Sequence, residues 1–260
     1  MRLIGLQFDI AWENKPANFA KVRQLLERAQ PPAGSLVVLP EMFATGFSMS
    51  VEKIVEPAGG PTEQFLAETA RLFKVNLIGG KVSPGAGGRG RNEAVVFGPD
   101  GQELTRYAKL HTFNPVGEGD HYERGGGLAQ FAWGGASVAP FVCYDLRFPE
   151  IFRAAAARGA EVIAVIANWP TERIGHWLAL LQARAIENQA YVIGVNRCGR
   201  TPKLAYAGRS LLVDPRGQIL ADGGEGEGVI AAPLDLAALR QYRKDFAVLP
   251  DMRPEFVKQD

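Results

Sequence analysis

Hydrophobic and polar residues follow two patterns along this chain, in short blocks. Some blocks have the two-residue period of a β-strand, and others have the period of an α-helix. Residues 3–10 alternate as a β-strand does, and residues 35–39 form a short apolar run typical of a strand covered on both faces. Between them, residues 16–29 place apolar side chains three and four positions apart, which predicts a helix. Strand-length and helix-length blocks continue in this way to about residue 242. The pattern predicts layers of strands and helices.

Turn sequences join several neighbouring strand-like runs and predict antiparallel hairpins beside the strand–helix units. Such turns lie at residues 99–101, 134–135 and 214–217. Pro140 lies inside the strand predicted over residues 137–143, and because proline has no N–H it predicts a bulge or an edge position. Two mixed sheets packed face to face, with helices outside each, would cover every apolar face of these elements.

Composition excludes several classes of protein. The 260 residues are 47% hydrophobic and 22% charged, which is ordinary globular usage. A formal net charge of +1 offers no basic excess for phosphate, so no nucleic-acid partner is expected. No apolar run has the length of a membrane span, and the N-terminus lacks a signal-peptide core. Two cysteines cannot form a disulfide framework, so we expect a cytoplasmic protein without a membrane partner.

The chain is expected to form one domain over residues 1–260, because no stretch of changed composition marks a linker. Residues 243–260 lack a helical or strand period but retain apolar side chains. We therefore expect this C-terminal tail to pack at a subunit interface of a homodimer.

Cys143 ends one predicted strand, and loops at such strand ends open onto crevices where reactive groups collect. A thiol there is either a nucleophile or a small buried hydrophobe. As a nucleophile it would need a base or a cation nearby. The three histidines, His111, His121 and His176, are interpreted as loop or surface residues, and the sequence does not support a Cys–His dyad.

Two further charged residues also come directly after predicted strands. Glu41 follows residues 35–40, where partial desolvation would suit a general base; alternatively its carboxylate caps backbone amides. Lys109 follows residues 104–107 and would stabilise a thiolate or an oxyanion; alternatively it is a solvated hairpin lysine. Glu118 lies in the loop that Lys109 opens.

The order Glu, Lys, Cys in these contexts resembles the nitrilase, or carbon–nitrogen hydrolase, superfamily. The resemblance covers almost the whole chain and includes PEMFATGF (40–47), YAKLHTF (107–113), VCYDLRFPE (142–150), ANWP (167–170) and QARAIENQAYVIGVNR (182–197). Within the superfamily the chain is most similar to the ω-amidase branch, which includes bacterial 2-oxoglutaramate amidases. The wording PEMFATGFSM and the position of Pro140 match that branch.

The resemblance implies an α/β fold with mixed sheets: a four-layer αββα sandwich, formed by a single carbon–nitrogen hydrolase domain that usually dimerises. It implies a catalytic triad of Glu41, Lys109 and Cys143, with Glu118 as a further catalytic glutamate. The backbone N–H of Tyr144 is expected to join Lys109 in holding the oxyanion. No metal ion or organic cofactor is expected.

The implied reaction is hydrolysis of the terminal amide of a small 2-oxo acid, 2-oxoglutaramate or 2-oxosuccinamate, to the dicarboxylate and ammonia through a cysteine thioester. The substrate carboxylate requires a cation, for which Arg173 is the first candidate and Arg147 the second. Apolar walls of the site are expected from Phe43, Phe113 and Trp169, with ordinary core packing as the competing explanation.

Other activities of the same superfamily remain open: deaminated-glutathione amidase, N-carbamoyl amide hydrolase or nitrilase. A catalytically silent binding scaffold is the alternative outside enzymes. Cys198 has no matched base and is interpreted as structural. The pairs Asp145–Arg147 and Arg184–Glu187 are expected to form ion pairs that brace the nucleophile loop and its neighbouring helix.

Overall fold

The computed structural model describes residues 1–201, 203–253 and 255. These residues form fourteen strands and seven α-helices. The strands are β1 (Arg2–Gln7), β2 (Leu36–Val38), β3 (Asn76–Pro84), β4 (Gly90–Phe97), β5 (Glu103–Ala108), β6 (Phe131–Trp133), β7 (Ala136–Val142), β8 (Val162–Ala167), β9 (Tyr191–Asn196), β10 (Cys198–Arg200), β11 (Ala205–Ala207), β12 (Leu211–Val213), β13 (Ile219–Asp222) and β14 (Gly228–Pro233). The helices are α1 (Lys15–Ala29), α2 (Val51–Ile54), α3 (Pro61–Phe73), α4 (Glu118–His121), α5 (Pro149–Ala157), α6 (Ile174–Asn188) and α7 (Leu236–Asp245).

Most of the strands belong to two six-stranded mixed sheets. The first has the order β14-β1-β2-β3-β4-β5, and its strands β1, β2 and β3 are parallel. The second has the order β13-β12-β9-β8-β7-β6, and its strands β7, β8 and β9 are parallel. The other neighbours within each sheet are antiparallel, so the predicted hairpins β4–β5, β6–β7 and β12–β13 are confirmed.

Alternate residues of the inner strands of the first sheet face two different cores. Leu36 and Val38 of β2 join the core between the two sheets, whereas Val37 joins the core beneath the helices α1 and α3. On the other side, Phe152 of α5 and Trp177 of α6 pack on the second sheet. The four-layer αββα sandwich predicted from the sequence is confirmed, since each apolar face finds a cover.

Pro140 takes the edge-like position that its missing N–H requires. It pairs in regular register with Ala164 of β8, so there is no bulge at this point. The register of β7 with β6 ends at Val138. Pro140 lies two residues further along β7, and its backbone nitrogen faces the side where β6 has ended. No strand there would accept a hydrogen bond from it, so its missing N–H costs none.

The start of the C-terminal tail is fastened to the body of the protein. The Arg243 guanidinium donates hydrogen bonds to the backbone oxygens of Ala160 and Gln189. Phe246, which follows α7, is largely exposed. Residues 254 and 256–260 of the predicted interface tail lie outside the described residues, and packing at a subunit interface stays a prediction. Among the residues described, no helix is long and apolar enough to cross a membrane.

Gly80 of β3 has no side chain, which leaves room for the sharp turn of the chain at residues 41–42, after β2. A Cβ atom at Gly80 would lie 2.8 Å from Glu41 Cα and still closer to the backbone nitrogen of Met42. Real carbon atoms do not approach so closely, so a side chain here must displace the turn. The absence of a side chain at Gly80 in β3 therefore allows Glu41, which follows β2, to lie at this position.

Replacing Gly80 by alanine should destabilise the protein by about 1–3 kcal/mol, because the added methyl group displaces the backbone of residues 41–42. Urea unfolding measures this loss. The matched control is Gly126→Ala, where an added Cβ meets nothing within 4 Å and unfolding should stay as in the wild type. Equal stability of the Gly80→Ala and Gly126→Ala proteins would contradict the close approach.

Candidate active site

A cavity of about 420 Å³ opens where the loops that follow β2, β5, β7 and β8 meet. Its lining includes Glu41, Lys109 and Cys143, each delivered by the end of a different strand. Two of these strands belong to the first sheet and one to the second. The face-to-face packing of the sheets therefore brings together three residues that are far apart in the sequence.

Cys143 lies at a sharp turn between β7 and the 3₁₀-helix Cys143–Arg147. Its backbone is left-handed, with φ of 48°, a conformation that costs a non-glycine residue energy and recurs at functional sites. The turn directs the Cys143 side chain to the cavity, which it lines. Burial raises the pKa of this thiol well above its usual value, the charge of Glu41 raises it further, and the Lys109 ammonium opposes both.

A buried aspartate stabilises the turn that carries Cys143. Asp145 Oδ2 accepts hydrogen bonds from the Val142 N–H at 3.2 Å and the Tyr107 hydroxyl at 2.8 Å. Asp145 Oδ1 accepts the backbone N–H of His111 at 3.0 Å. The expected Asp145–Arg147 ion pair is wrong, because the carboxylate points into the protein toward these donors while Arg147 lines the cavity. The other expected pair is present, with 2.9 Å between Arg184 Nη1 and Glu187 Oε1.

Glu41 is fully buried, and hydrogen-bond donors surround its carboxylate. Its Oε1 accepts from Asn92 Nδ2 at 2.6 Å and from Lys109 Nζ at 3.2 Å. Its Oε2 accepts the backbone N–H of Asn168 at 2.8 Å. Glu41 does bond a backbone amide, as the alternative interpretation expected, but that amide belongs to the loop after β8. The same carboxylate also lines the cavity, as a general base requires.

Lys109 is the centre of the charged part of the site. Its buried ammonium lies 3.0 and 2.9 Å from the two oxygens of Glu118, in addition to its contact with Glu41. Glu118 also accepts the backbone N–H of Phe113. Burial alone would lower the pKa of Lys109, but the charges of Glu118 and Glu41 outweigh it and raise the pKa above its usual value. The ammonium therefore stays charged, and Lys109 is not a solvated hairpin residue.

Of the four residues proposed for substrate binding, Phe113, Trp169 and Arg173 line the cavity. Phe43 does not: it is fully buried in the core beneath α1 and α3, with its ring centroid 6.0 Å from that of Phe65. The turn after β2 points Phe43 away from the site. Phe47, four residues further, occupies a cavity position instead, and its ring centroid lies 5.2 Å from Lys109 Nζ.

Two arginines line the same cavity without a carboxylate partner among the described residues. The Arg147 guanidinium lies 4.7 Å from the Trp169 ring centroid, and that of Arg173 lies 5.5 Å from the Phe113 centroid. Burial, together with the charge of Arg173, lowers the pKa of Arg147. Two neighbouring cations that face a cavity without counterions favour an anionic ligand.

Several residues of the site had not been predicted as functional. Asn92 bonds Glu41 from within β4, and Asn168 bonds it from the loop after β8. Tyr206 reaches the cavity from the β10–β11 hairpin, which no predicted element covers. The ANWP segment contains Asn168 and was a usable signal for it; a single polar residue within a strand, such as Asn92, gives none. No histidine is among the described residues that line the cavity.

The family match and the similar proteins of known name all belong to the carbon–nitrogen hydrolases or amidases. Residues 4–244 match the carbon–nitrogen hydrolase family. The chain is 33% identical to a 2-oxoglutaramate amidase of Bacillus subtilis and 37% identical to an ω-amidase of Yersinia enterocolitica, and each alignment covers 96% of both chains. It is 34% identical to a deaminated glutathione amidase of Synechocystis, covering 91% of this chain and 92% of that protein.

The fold is also similar to that of solved structures. A CN-hydrolase superfamily protein of Xanthomonas campestris superposes with a TM-score of 0.90 at 33% sequence identity. The superposition covers 97% of each chain. The similarity therefore extends over both sheets and the helices outside them.

Replacing Lys109 by methionine should destabilise the protein by about 3–5 kcal/mol, because two buried carboxylates then lose their shared cation. The double variant Lys109→Met/Glu118→Gln should recover part of this loss, since only one buried charge remains uncompensated. Urea unfolding at neutral pH measures both. If the single and double variants were equally stable, electrostatic repulsion between Glu41 and Glu118 would not be the cause of the loss.

Proposed function

Because the chain belongs to the carbon–nitrogen hydrolase family, we propose that it is an ω-amidase that hydrolyses the terminal amide of small 2-oxo acids, such as 2-oxoglutaramate and 2-oxosuccinamate, and releases ammonia. One observation carries the proposal: Glu41, Lys109 and Cys143 line a single cavity together with two arginines that lack ion-pair partners among the described residues. The 2-oxoglutaramate amidase and ω-amidase relatives, at 33% and 37% identity, support the substrate class.

In the resting enzyme Cys143 is a thiol, because its burial and the charge of Glu41 raise its pKa. As the sulfur attacks the amide carbon, Glu41 accepts the thiol proton and a C–S bond forms. The carbonyl oxygen becomes an oxyanion, which the Lys109 ammonium and the backbone N–H of Tyr144 stabilise. Lys109 suits this role because its neighbours keep it charged.

The tetrahedral intermediate then collapses. Glu41 returns the proton to the amide nitrogen, the C–N bond breaks, ammonia leaves, and a thioester remains on Cys143. A water molecule gives its proton to Glu41 and attacks the thioester carbon, with Glu118 helping to position it. The C–S bond breaks, the sulfur regains the proton, and the product leaves as a carboxylic acid.

The 2-oxo acid end of the substrate is expected to lie against Arg147 and Arg173. A guanidinium forms two parallel hydrogen bonds to a carboxylate, which fixes both charge and direction. The rings of Trp169 and Phe113 hold the guanidinium groups from one side. In the proposed complex, the substrate carboxylate lies at the arginine end of the cavity and the terminal amide lies near Cys143.

We also propose that the enzyme acts as a homodimer in the cytoplasm. A thiol nucleophile must remain reduced, which the cytoplasm ensures. Ile186 of α6 is exposed, and Gln189 at the end of α6 bonds the backbone of the exposed Phe246. Ile186 and Phe246 are exposed large apolar side chains that a second subunit would cover.

A second candidate is hydrolysis of deaminated glutathione, a larger acid. Lys203 lines the cavity in addition to Lys109, Arg147 and Arg173, and a volume of about 420 Å³ exceeds the need of a five-carbon substrate. The Synechocystis relative supports this alternative. Ammonia release from 2-oxoglutaramate, carbamoyl-β-alanine or a simple nitrile, and cysteinylglycine release from deaminated glutathione, distinguish the candidates.

The Cys143→Ala protein should fold normally and release no ammonia from 2-oxoglutaramate, because no thioester can form. Circular dichroism and a coupled ammonia assay measure the two properties. The control is Cys198→Ala, which removes a buried thiol whose pKa burial raises to about 11 and which does not line the cavity. Ammonia release by Cys143→Ala at the wild-type rate would end this proposal.

The Arg147→Gln and Arg173→Gln proteins should each raise KM for 2-oxoglutaramate by about 10- to 100-fold, the loss expected for a hydrogen bond between charged groups. Hydrolysis of a neutral amide such as propionamide should change much less. Steady-state kinetics on both substrates, with the exposed Arg158→Gln as control, tests this. Equal losses on the acidic and the neutral amide would show that the arginines do not bind a carboxylate.

A further inference from the structure

Asn92 lies beside the catalytic groups without lining the cavity. It is only 1% exposed, and its backbone oxygen accepts the N–H of Lys109 at 2.8 Å, because β4 and β5 pair antiparallel at this point. Its amide nitrogen Nδ2 lies 2.6 Å from Glu41 Oε1 and 3.2 Å from Glu118 Oε1. Among the described side chains, Asn92 and Lys109 are the two that bond both carboxylates.

The neighbours of Asn92 determine the orientation of its amide. Ionised carboxylates only accept hydrogen bonds, so the NH₂ group and not the oxygen must face Glu41 and Glu118. The oxygen Oδ1 is then buried, and it has no hydrogen-bond partner among the described residues. An amide that leaves its own oxygen unpaired in the interior is unfavourable for stability. The contribution of Asn92 is therefore its pair of N–H donors.

These donors decide which oxygen of Glu41 can accept a proton. Oε1 already accepts hydrogen bonds from both Asn92 and Lys109, which occupy its two lone pairs. Oε2 accepts one strong hydrogen bond, from the Asn168 N–H at 2.8 Å, and a weak contact at 3.4 Å from the Asn168 amide. A lone pair on Oε2 thus remains for the thiol proton.

The charges of the cluster also require a second donor. Glu41 and Glu118 carry two negative charges, whereas Lys109 supplies one positive charge, and all three side chains are buried. The excess negative charge is unfavourable in the interior unless hydrogen-bond donors stabilise it. A hydrogen bond from a neutral amide stabilises the anionic form without adding a charge that would have to be desolvated.

We propose that Asn92 is a positioning residue for the reaction: by donating one N–H to each glutamate, it holds the Glu41 carboxylate in place and leaves Oε2 as the oxygen that accepts the Cys143 proton. This inference rests on the proposed function, since it assigns Asn92 a role through the general base. Asn92 itself touches neither substrate nor the reacting atoms.

The test replaces Asn92 by leucine, which has the same branching and no donor, and by aspartate, which has the same shape and accepts instead of donating. In both variants kcat for 2-oxoglutaramate should fall about 10- to 100-fold with little change in KM, because Asn92 lies outside the cavity. The acidic limb of the kcat profile should move to higher pH for leucine and further for aspartate, because Glu41 loses a hydrogen-bond donor to its anionic form.

The matched control is Val95→Ala, a buried residue of the same strand that faces the core beneath α1 and α3. It should lower the melting temperature and leave the acidic limb in place. An Asn92→Leu protein with reduced stability and an unmoved limb would overturn the proposal, because that is the result of a purely structural role. Failure of both Asn92 variants to fold would overturn it for the same reason.

A second profile separates this inference from the proposed function. The rate at which iodoacetamide alkylates Cys143 rises as Glu41 becomes able to accept the thiol proton, and it needs no substrate. The acidic limb of the pH profile of this alkylation rate should move to higher pH in Asn92→Leu, as the acidic limb of the kcat profile does. A wild-type protein without amidase activity would refute the proposed function, whereas an unshifted alkylation profile would refute the role of Asn92 alone.

Discussion

One ammonium group held between two buried carboxylates is the interaction on which the site depends. Lys109 contacts Glu41 and Glu118 at 2.9–3.2 Å, and all three side chains are withdrawn from water. Each group costs free energy to bury alone, and together they offset one another. In the proposed mechanism, the same contacts provide a positive charge for the oxyanion and a fixed carboxylate for the proton. Stability and chemistry therefore rest on the same three groups.

The fold supplies this geometry through the ends of its strands. Face-to-face sheets place the loops after β2, β5 and β7 around one cavity, so residues far apart in sequence meet. Two local devices refine the positions. Gly80 admits the backbone of Glu41 at close range, and the Asp145 carboxylate anchors the left-handed turn at Cys143. Rigid elements thus hold the reacting groups before any substrate arrives.

Periodicity and turn sequences predicted the layers and the hairpins, because these are local properties. The triad of Glu41, Lys109 and Cys143 was implied by the resemblance to the nitrilase superfamily. The prediction that Phe43 lines the site was wrong, because the direction of a side chain in a turn depends on tertiary packing. Phe43 and Phe47 lie in the same turn, yet only Phe47 reaches the cavity. Asn92 was missed because its two partners are 51 and 26 residues away, and nothing within β4 distinguishes it from an ordinary buried polar residue.

The most direct test of the account is the mass of the protein during turnover. Wild-type enzyme mixed with 2-oxoglutaramate and quenched in acid within milliseconds should carry an added mass equal to the substrate minus ammonia. Peptide fragmentation should locate that mass on Cys143 as a base-labile thioester. Rapid ammonia release without any acylated enzyme, or an acyl group on a different residue, would contradict covalent catalysis by Cys143 and the role assigned to its two charged neighbours.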